Sequence, residues 1–541
     1  MNKSLRQLLP QAQQRFVAGD LAQAQALYQR VLDQHPGQAE ALQGLLSIAL
    51  RQGQSAAAEG YLVQLVALHP GEPAFTDYLA NLLQQRGAID EATAHYERLL
   101  ERIDNPAVSH FNFALLLRNA GRTDAALEQY AAALRHNIDG PEEVHSNISN
   151  IYGERGQHVE AEASLQQALA LNADYLPALY NYALLCEECD RWPEAQGLLE
   201  RMIALDPDHV DAHVRLAQGQ PAERAAPELV PALQRLLRSN AGQPLAQESL
   251  YYALGKSADD VGDYAAAADH YRQANRLSIA RVGSYDARSL EQLTQRLCDT
   301  AALPAAQRSS SGQPIFICGM FRSGSTLLEQ MLAAHPQLEA GGELNYLQQQ
   351  WPASRWLASV GAARETLLTD FVDGYLSELG RLFPNAAADA IINKQPENLL
   401  QVPLICRAFS GAKVLVTDRA LLDNVLAVYF QQLSPRYGYA NRLQDIEHYY
   451  QQCQRLLARW LECFPDNIRV VSYEALVQSP EKTLRPVLEF LGLPWDGRCL
   501  RFFEVDNRVR TASVWQVRQP LHSRSVGRAD HYRELLAPLR E

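Results

Sequence analysis

Pro314-Ile-Phe-Ile-Cys-Gly-Met-Phe-Arg-Ser-Gly-Ser-Thr-Leu-Leu-Glu-Gln-Met-Leu-Ala-Ala-His-Pro336 decides how the second half of this chain folds. Ile315 to Cys318 is an apolar run, which reads as a short strand buried on both faces. Gly319 to Thr326 is a tight loop of glycine and hydroxyl residues. Leu327 to Ala334 continue as a helix, and Pro336 stops it. A strand, a glycine loop and a helix N-terminus in that order wrap a phosphate or sulfate group. The backbone N–H groups of Gly324 to Thr326 offer a nest, Ser323, Ser325 and Thr326 offer hydroxyls, and Arg322 adds a charge where the loop turns. The loop is not a Walker A loop, because it lacks the Gly-Lys-Ser/Thr ending.

The half of the chain before this loop is periodic. Turn residues recur at Gly19, Gly53, Gly87, Gly121, Gly156 and Asp190, spaced by 34, 34, 34, 35 and 34 residues. An alanine follows each turn (Ala24, Ala58, Ala92, Ala126, Ala161, Ala195), then a large residue (Tyr28, Leu62, Tyr96, Tyr130, Leu165, Leu199). Pro36, Pro70 and Pro207 close three of the units, and Gly262, Ala267 and Tyr271 repeat the pattern later. The turn residue breaks one helix, the alanine lets the next approach, and the large residue fills the hole between neighbours. Asp208 to Leu245 leaves room for one degraded unit. The pattern resembles the tetratricopeptide repeat, whose stacked helix pairs form a superhelix with a concave face. The resemblance implies a peptide or protein partner on that face. A rigid spacer or a dimerisation arm is the alternative, so a homodimer is left open.

The chain has 541 residues, enough for two or more cored domains, and a net charge of −13, which argues against nucleic acid as partner. Its eight cysteines are irregularly placed and suggest no disulfide framework. Cys186 and Cys189 form a lone CxxC inside a repeat helix and read as ordinary packing. The N-terminus lacks the apolar run of a signal peptide, and no stretch is long and apolar enough to span a membrane. The expectation is a cytoplasmic protein without a metal site.

Downstream of the loop, further segments fall in order. Ala340-Gly-Gly-Glu-Leu-Asn-Tyr346, Ile391-Ile-Asn-Lys-Gln-Pro-Glu-Asn398, Lys413 to Tyr429, Arg469-Val-Val-Ser-Tyr-Glu-Ala-Leu-Val477, Arg510 to Pro520 and His522-Ser-Arg-Ser-Val-Gly-Arg528 each carry a charged or hydroxyl residue after apolar ones. Together with the loop they resemble sulfotransferases that use 3′-phosphoadenylyl sulfate (PAPS), in particular protein-tyrosine sulfotransferases and their bacterial tetratricopeptide-repeat relatives. The resemblance covers about 314 to 541. It implies a P-loop-like α/β domain with a central parallel sheet behind an all-α repeat superhelix. The implied division is repeats over 1–285, a linker over 286–312 and a catalytic domain over 313–541.

The family pattern supplies roles. Glu343 matches the carboxylate that takes the acceptor's proton, while Arg322, Lys394 and Ser513 match groups that stabilise transfer. Gly319, Phe321, Arg322, Ser323, Gly324, Ser325, Thr326 and Leu327 match the donor loop. Arg419, Tyr473, Gln516 and Arg528 match further donor contacts. PAPS is then the donor and 3′-phosphoadenosine 5′-phosphate (PAP) the product. Some residues depart from the pattern. Phe321 and Ser325 replace a proline and a threonine in the loop. Ala420, Leu421 and Ala427 stand where Asp, Pro and Ser are usual, and Ala529 replaces a tryptophan. A peptidyl tyrosine held by the repeats is the preferred acceptor, with a saccharide or small molecule as alternatives. The departures keep open a non-catalytic peptide-binding scaffold. A phosphoryl transferase is disfavoured by the missing Walker lysine.

Overall fold

The computed structural model describes residues 5–219, 229–301, 314–359, 361–383, 390–504 and 520–539. The chain divides into two compact units, Met1–Tyr182 and Ala183–Glu541.

Helices come in antiparallel pairs from Leu5–Val17 with Leu21–Gln34 to Pro244–Asp260 with Tyr264–Val282, eight pairs among the described residues. The degraded unit is one of them, Val210–Gly219 with Leu229–Ser239. Every periodic turn residue has a positive φ: 82° at Gly19, 68° at Gly53, 81° at Gly87, 76° at Gly121, 72° at Gly156, 80° at Gly262 and 60° even at Asp190. The alanine after each turn is buried, as are the large residues Tyr28, Leu62, Tyr96, Tyr130, Leu165, Leu199 and Tyr271. How closely they pack shows at Gly44, where an added Cβ would lie 2.4 Å from the Tyr28 ring.

The C-terminal half is built on five parallel strands in the order β2-β3-β1-β4-β5: β1 Ile315–Gly319, β2 Leu338–Ala340, β3 Ala390–Lys394, β4 Lys413–Asp418 and β5 Ile468–Ser472. Successive β1 residues serve opposite faces. Phe316 and Cys318 join Trp356, Phe371, Tyr375 and Trp460 on one side. Ile315 and Ile317 join Leu328, Met331 and Leu332 on the other. Such double burial explains the unbroken apolar runs.

Residues 287–301 differ from the expected linker. Ala287–Ala301 is a helix, α1, with Leu297 buried. It is fastened to helix α4 (Leu443–Cys463): Arg459 Nε donates to the Cys298 carbonyl at 3.3 Å, and His448 Nε2 lies 3.0 Å from Glu291 Oε1. The polar tail of the stretch conceals this amphipathic segment in the sequence. Residues 302–313 lie outside the described residues.

The last repeat helix ends at Val282, but the chain divides into compact units after Tyr182, and the last repeat is built into the core around the parallel sheet. Tyr271 stacks on Phe430 at 3.8 Å, and Asn275 Nδ2 donates to the Tyr429 carbonyl at 2.9 Å.

Candidate active site

The loop leaving β1 leads into helix α2 (Ser325–Ala333) and is shaped by unusual backbone angles: φ is 140° at Gly319, 64° at Arg322 and 97° at Gly324. An added Cβ at Gly319 would lie 2.5 Å from the Thr417 carbonyl oxygen, and one at Gly324 would lie 2.5 Å from Tyr473 Cδ2. Ser323 Oγ lies 2.6 Å from the Met320 carbonyl and 2.6 Å from Thr417 Oγ1. The Ser323 hydroxyl stitches the loop to β4. Phe321 packs its ring 4.7 Å from Tyr437, and its carbonyl accepts from Asn424 Nδ2 at 3.0 Å. Leu327 is buried in the core. Ser325 and Thr326, also buried, occupy the first turn of α2, whose N–H groups have no intrahelical acceptor. That turn, with the helix dipole behind it, is suited to an anion.

Three arginines converge here. Burial, and then the charge of Arg419, bring the Arg322 guanidinium down to about 10, with Arg528 adding to the repulsion. Arg419 is 6% exposed. Its Nη1 donates to the Arg322 carbonyl at 3.0 Å and its Nη2 to the Ser525 carbonyl at 2.5 Å. Its guanidinium lies 4.8 Å over the Tyr473 ring. Its Nε is buried with no hydrogen-bond partner among the described residues. Tyr473 therefore stands between Gly324 and Arg419, at the loop. The Asp423 carboxylate fastens the closing segment by accepting from Gly527 N at 2.6 Å and Ala529 N at 2.8 Å. Arg528, expected to face the donor, is ion-paired with Asp259 of the last repeat and lies 5.6 Å from the Phe430 ring. Asp259 also accepts from the Tyr532 hydroxyl.

Glu343 and Lys394, 51 residues apart in sequence, meet. Lys394 Nζ donates to Glu343 Oε1 at 2.6 Å; the lysine side chain is 0% exposed and the glutamate 34%. Parallel pairing does this. Lys394 ends β3 opposite Ile317 of β1, and its N–H donates to the Gly342 carbonyl at 3.0 Å. Gly341 N donates to the Ile392 carbonyl at 2.8 Å, and an added Cβ at Gly341 would lie 2.6 Å from that oxygen. The sequence reading missed Glu329, a buried carboxyl on α2 that accepts from Gly342 N at 2.8 Å. An acidic residue amid the apolar positions of this helix was the available signal. Burial pushes the Glu329 carboxyl up to about 7, while Lys394 pulls it down.

Ser513 and Gln516 lie outside the described residues. His335 lies 3.1 Å from the Pro494 carbonyl through Nε2, and Gln337 N donates to its Nδ1 at 3.2 Å, a structural pairing. Cys186 is buried in its repeat helix. Among the described residues no helix is long and apolar enough to cross a membrane.

The sequence profile of the sulfotransferase family matches residues 314–497, which span the loop, the Glu343–Lys394 pair and Arg419. Residues 314–497 form a sulfotransferase domain. Tetratricopeptide-repeat profiles match 16–82, 111–175, 154–220 and 248–278 ahead of it. An uncharacterized protein of Aquifex aeolicus (strain VF5) is 26% identical over 97% of this chain and 68% of its own length. A putative protein-tyrosine sulfotransferase of Caenorhabditis briggsae is 27% identical over 40% of this chain and 81% of its own. Protein-tyrosine sulfotransferase 1 of Danio rerio is 28% identical over 38% of this chain and 59% of its own. Among solved structures, the sulfotransferase domain of the Synechococcus PCC 7002 olefin synthase aligns over 42% of this chain and 97% of its own, at 20% identity and a TM-score of 0.29. By its family profiles and its own sheet, the chain couples tetratricopeptide repeats to a sulfotransferase domain with a central parallel sheet.

Proposed function

We propose that this sulfotransferase moves a sulfuryl group from PAPS to a peptidyl tyrosine. The observation that carries the reading is the Glu343–Lys394 pair at the strand ends, next to a loop crowded with arginines. The residues present fit the donor. The orphaned Arg419 Nε, the first turn of α2 and Arg322 suit its phosphates, and Gly319 and Gly324 let the loop pack directly on Thr417 and Tyr473, where a Cβ would collide and deform it. The donor supplies a good leaving group. The acceptor oxygen bonds to sulfur as the bond from sulfur to the donor's phosphate oxygen breaks, and the electron pair stays with that oxygen. Glu343, partly exposed, accepts the acceptor's proton. Lys394, charged and buried, stabilises the negative charge that develops. A phenol favours this chemistry over an aliphatic alcohol because its proton is more acidic. The repeats supply a surface for the chain that carries the tyrosine.

Calorimetric titration with PAP tests the donor site. Binding is expected, and Arg322→Ala or Arg419→Ala should weaken it at least tenfold. Glu343→Gln should keep PAP binding and lose transfer to tyrosyl peptides. A folded chain that ignores PAP would overturn the reading. PAP binding without transfer to any peptide, saccharide or small hydroxyl acceptor would favour the scaffold, the reading to which Ala427 and Ala529 lean.

A further inference from the structure

We infer that the ring of Phe321 is the wall on which the acceptor's phenol ring lies, and that Tyr437 is the positioning residue that braces it. This deepens the transfer reading above and rests on it for its kinetic part.

A closed circuit of contacts at one edge of the sheet defines the place. Lys394 ends β3 opposite Ile317 of β1, and Gln395 N donates to the Ile317 carbonyl at 3.0 Å. Two segments leave this point. Strand β1 runs on through Gly319 into the loop that carries Phe321. Strand β3 runs on into the turn Pro396–Gln401, where Glu397 stands three residues past Lys394. Tyr437 closes the circuit. Its hydroxyl donates to Glu397 Oε2 at 3.2 Å, and its ring centre lies 4.7 Å from that of Phe321. Burial, then the Glu397 carboxylate, hold the Tyr437 hydroxyl far above its usual range, and the charge of Glu343 adds to the rise. An acceptor oxygen that must reach both Glu343 and a sulfuryl group at the loop enters the gap these groups border.

What lines that gap, beyond the Glu343–Lys394 pair, favours a flat apolar body. Arg436 is ion-paired with Glu397, and its guanidinium lies 4.7 Å over the Tyr437 ring. The polar groups beside Phe321 are thus satisfied by one another. A saccharide would leave its own hydroxyls unpaired there, whereas a phenol needs only a face to lie on. Phe321 supplies the face. Its carbonyl is pinned by Asn424 Nδ2 at 3.0 Å. Among the described residues Tyr437 is the one ring it meets, and Phe321 is only half-buried. An aromatic ring laid against it gains more than its buried area alone would give. The backbone of Phe321 serves the donor loop; its ring serves the acceptor.

The test uses PAPS and a tyrosyl peptide that the wild type sulfates. Phe321→Leu should raise the peptide KM about fivefold and leave kcat within about twofold, because the lost contact is held both before and during transfer. Calorimetric PAP affinity should stay within about twofold, since the ring does not touch the donor. Phe321→Tyr, which keeps the ring, should restore the KM. Tyr437→Leu should also raise KM, and the double variant should be no worse than Phe321→Leu alone, because the brace acts only through that ring. An unchanged KM in Phe321→Leu, or a loss of PAP affinity matching the rise in KM, overturns the proposal, as do additive effects in the double variant. A turnover-free readout separates this from failure of the transfer reading. In saturation-transfer NMR titrations of the full chain, para-cresol should bind about fivefold tighter than its saturated analogue methylcyclohexanol, and Phe321→Leu should remove the difference. Equal affinities in the wild type would sink the inference even in an active enzyme. A difference that Phe321→Leu abolishes would uphold it even if no acceptor were turned over.

Discussion

Gly319→Ala concentrates the physical demands of the loop in one methyl group. Gly319 has φ 140°, where a side chain is strained, at a cost of about 1–3 kcal/mol. The new Cβ would lie 2.5 Å from the Thr417 carbonyl oxygen, 3.0 Å from Thr417 Oγ1 and 3.3 Å from Ser323 Oγ. Thr417 is the β4 residue in register with Gly319, so its carbonyl cannot retreat without parting the central strands. Overpacking of this kind costs a further 1–3 kcal/mol, roughly. The sum is about 2–6 kcal/mol, a large part of what holds a domain folded. Gly342→Ala is the matched control: φ is 68° and nothing lies within 4 Å of its added Cβ, so only the backbone cost of about 1–2 kcal/mol applies. Thermal unfolding of the full chain should therefore show a larger drop for Gly319→Ala than for Gly342→Ala. Relief of the clash by opening the 2.6 Å Ser323–Thr417 contact would distort the cradle, so PAP affinity should fall at least tenfold in Gly319→Ala. Equal melting temperatures and equal PAP affinities in the two variants would refute the argument that β4 fixes the loop.

Arg322→Gly should raise the melting temperature while abolishing calorimetric PAP binding, because glycine relieves a φ of 64° worth about 1 kcal/mol and removes a charge repelled by Arg419 and Arg528. Ala427→Ser puts back a hydroxyl on helix α3 (Leu421–Tyr429) at the position where the family carries serine, and PAP should bind about fivefold tighter, the worth of one hydrogen bond. A fragment from 286 to 541 should lack a cooperative thermal transition and bind ANS, whereas a fragment beginning at Asp174 should melt cooperatively.

Legibility followed the chemistry of each signal. The repeats were legible because one backbone requirement, a positive φ at each turn, recurs at fixed spacing, and even Asp190 meets it at 60°. Strand β1 was legible because burial on both faces demands an unbroken apolar run. Glu343 and Lys394 could be nominated only by resemblance, since their meeting depends on β2, β3 and β1 lying side by side. The Ser323–Thr417 contact could not be read from the sequence, because a hydroxyl in a loop looks the same whether it faces a ligand or a neighbouring strand. Glu329 stood out only as one acidic residue amid the apolar positions of its helix, and its partner, the N–H of Gly342, is a backbone donor that no residue type marks.

The last repeat shows why a repeat boundary need not be a folding boundary. Helix Tyr264–Val282 keeps the registered alanine and tyrosine, so by pattern it belongs with the helices before it. Its ring positions serve another core. Tyr271 lies flat on Phe430, and Tyr264 stacks on His531 at 4.4 Å and meets Tyr532 edge-on at 5.4 Å. Phe430 is 8% exposed and Tyr429 6%. Burying each such side chain is worth about 1.5–3 kcal/mol, so losing this face would remove an amount comparable with the net stability of a domain. Removal would also strand Arg528 and Tyr532, both of which bond to Asp259 of the preceding helix. The segment carrying Arg528 is held to helix α3 by Asp423, through Gly527 and Ala529, and to the loop after β1 by Arg419, which bonds to both the Ser525 and the Arg322 carbonyls. The last repeat therefore does two jobs with one surface: it completes the core around the parallel sheet, and it fixes the segment that carries Arg528.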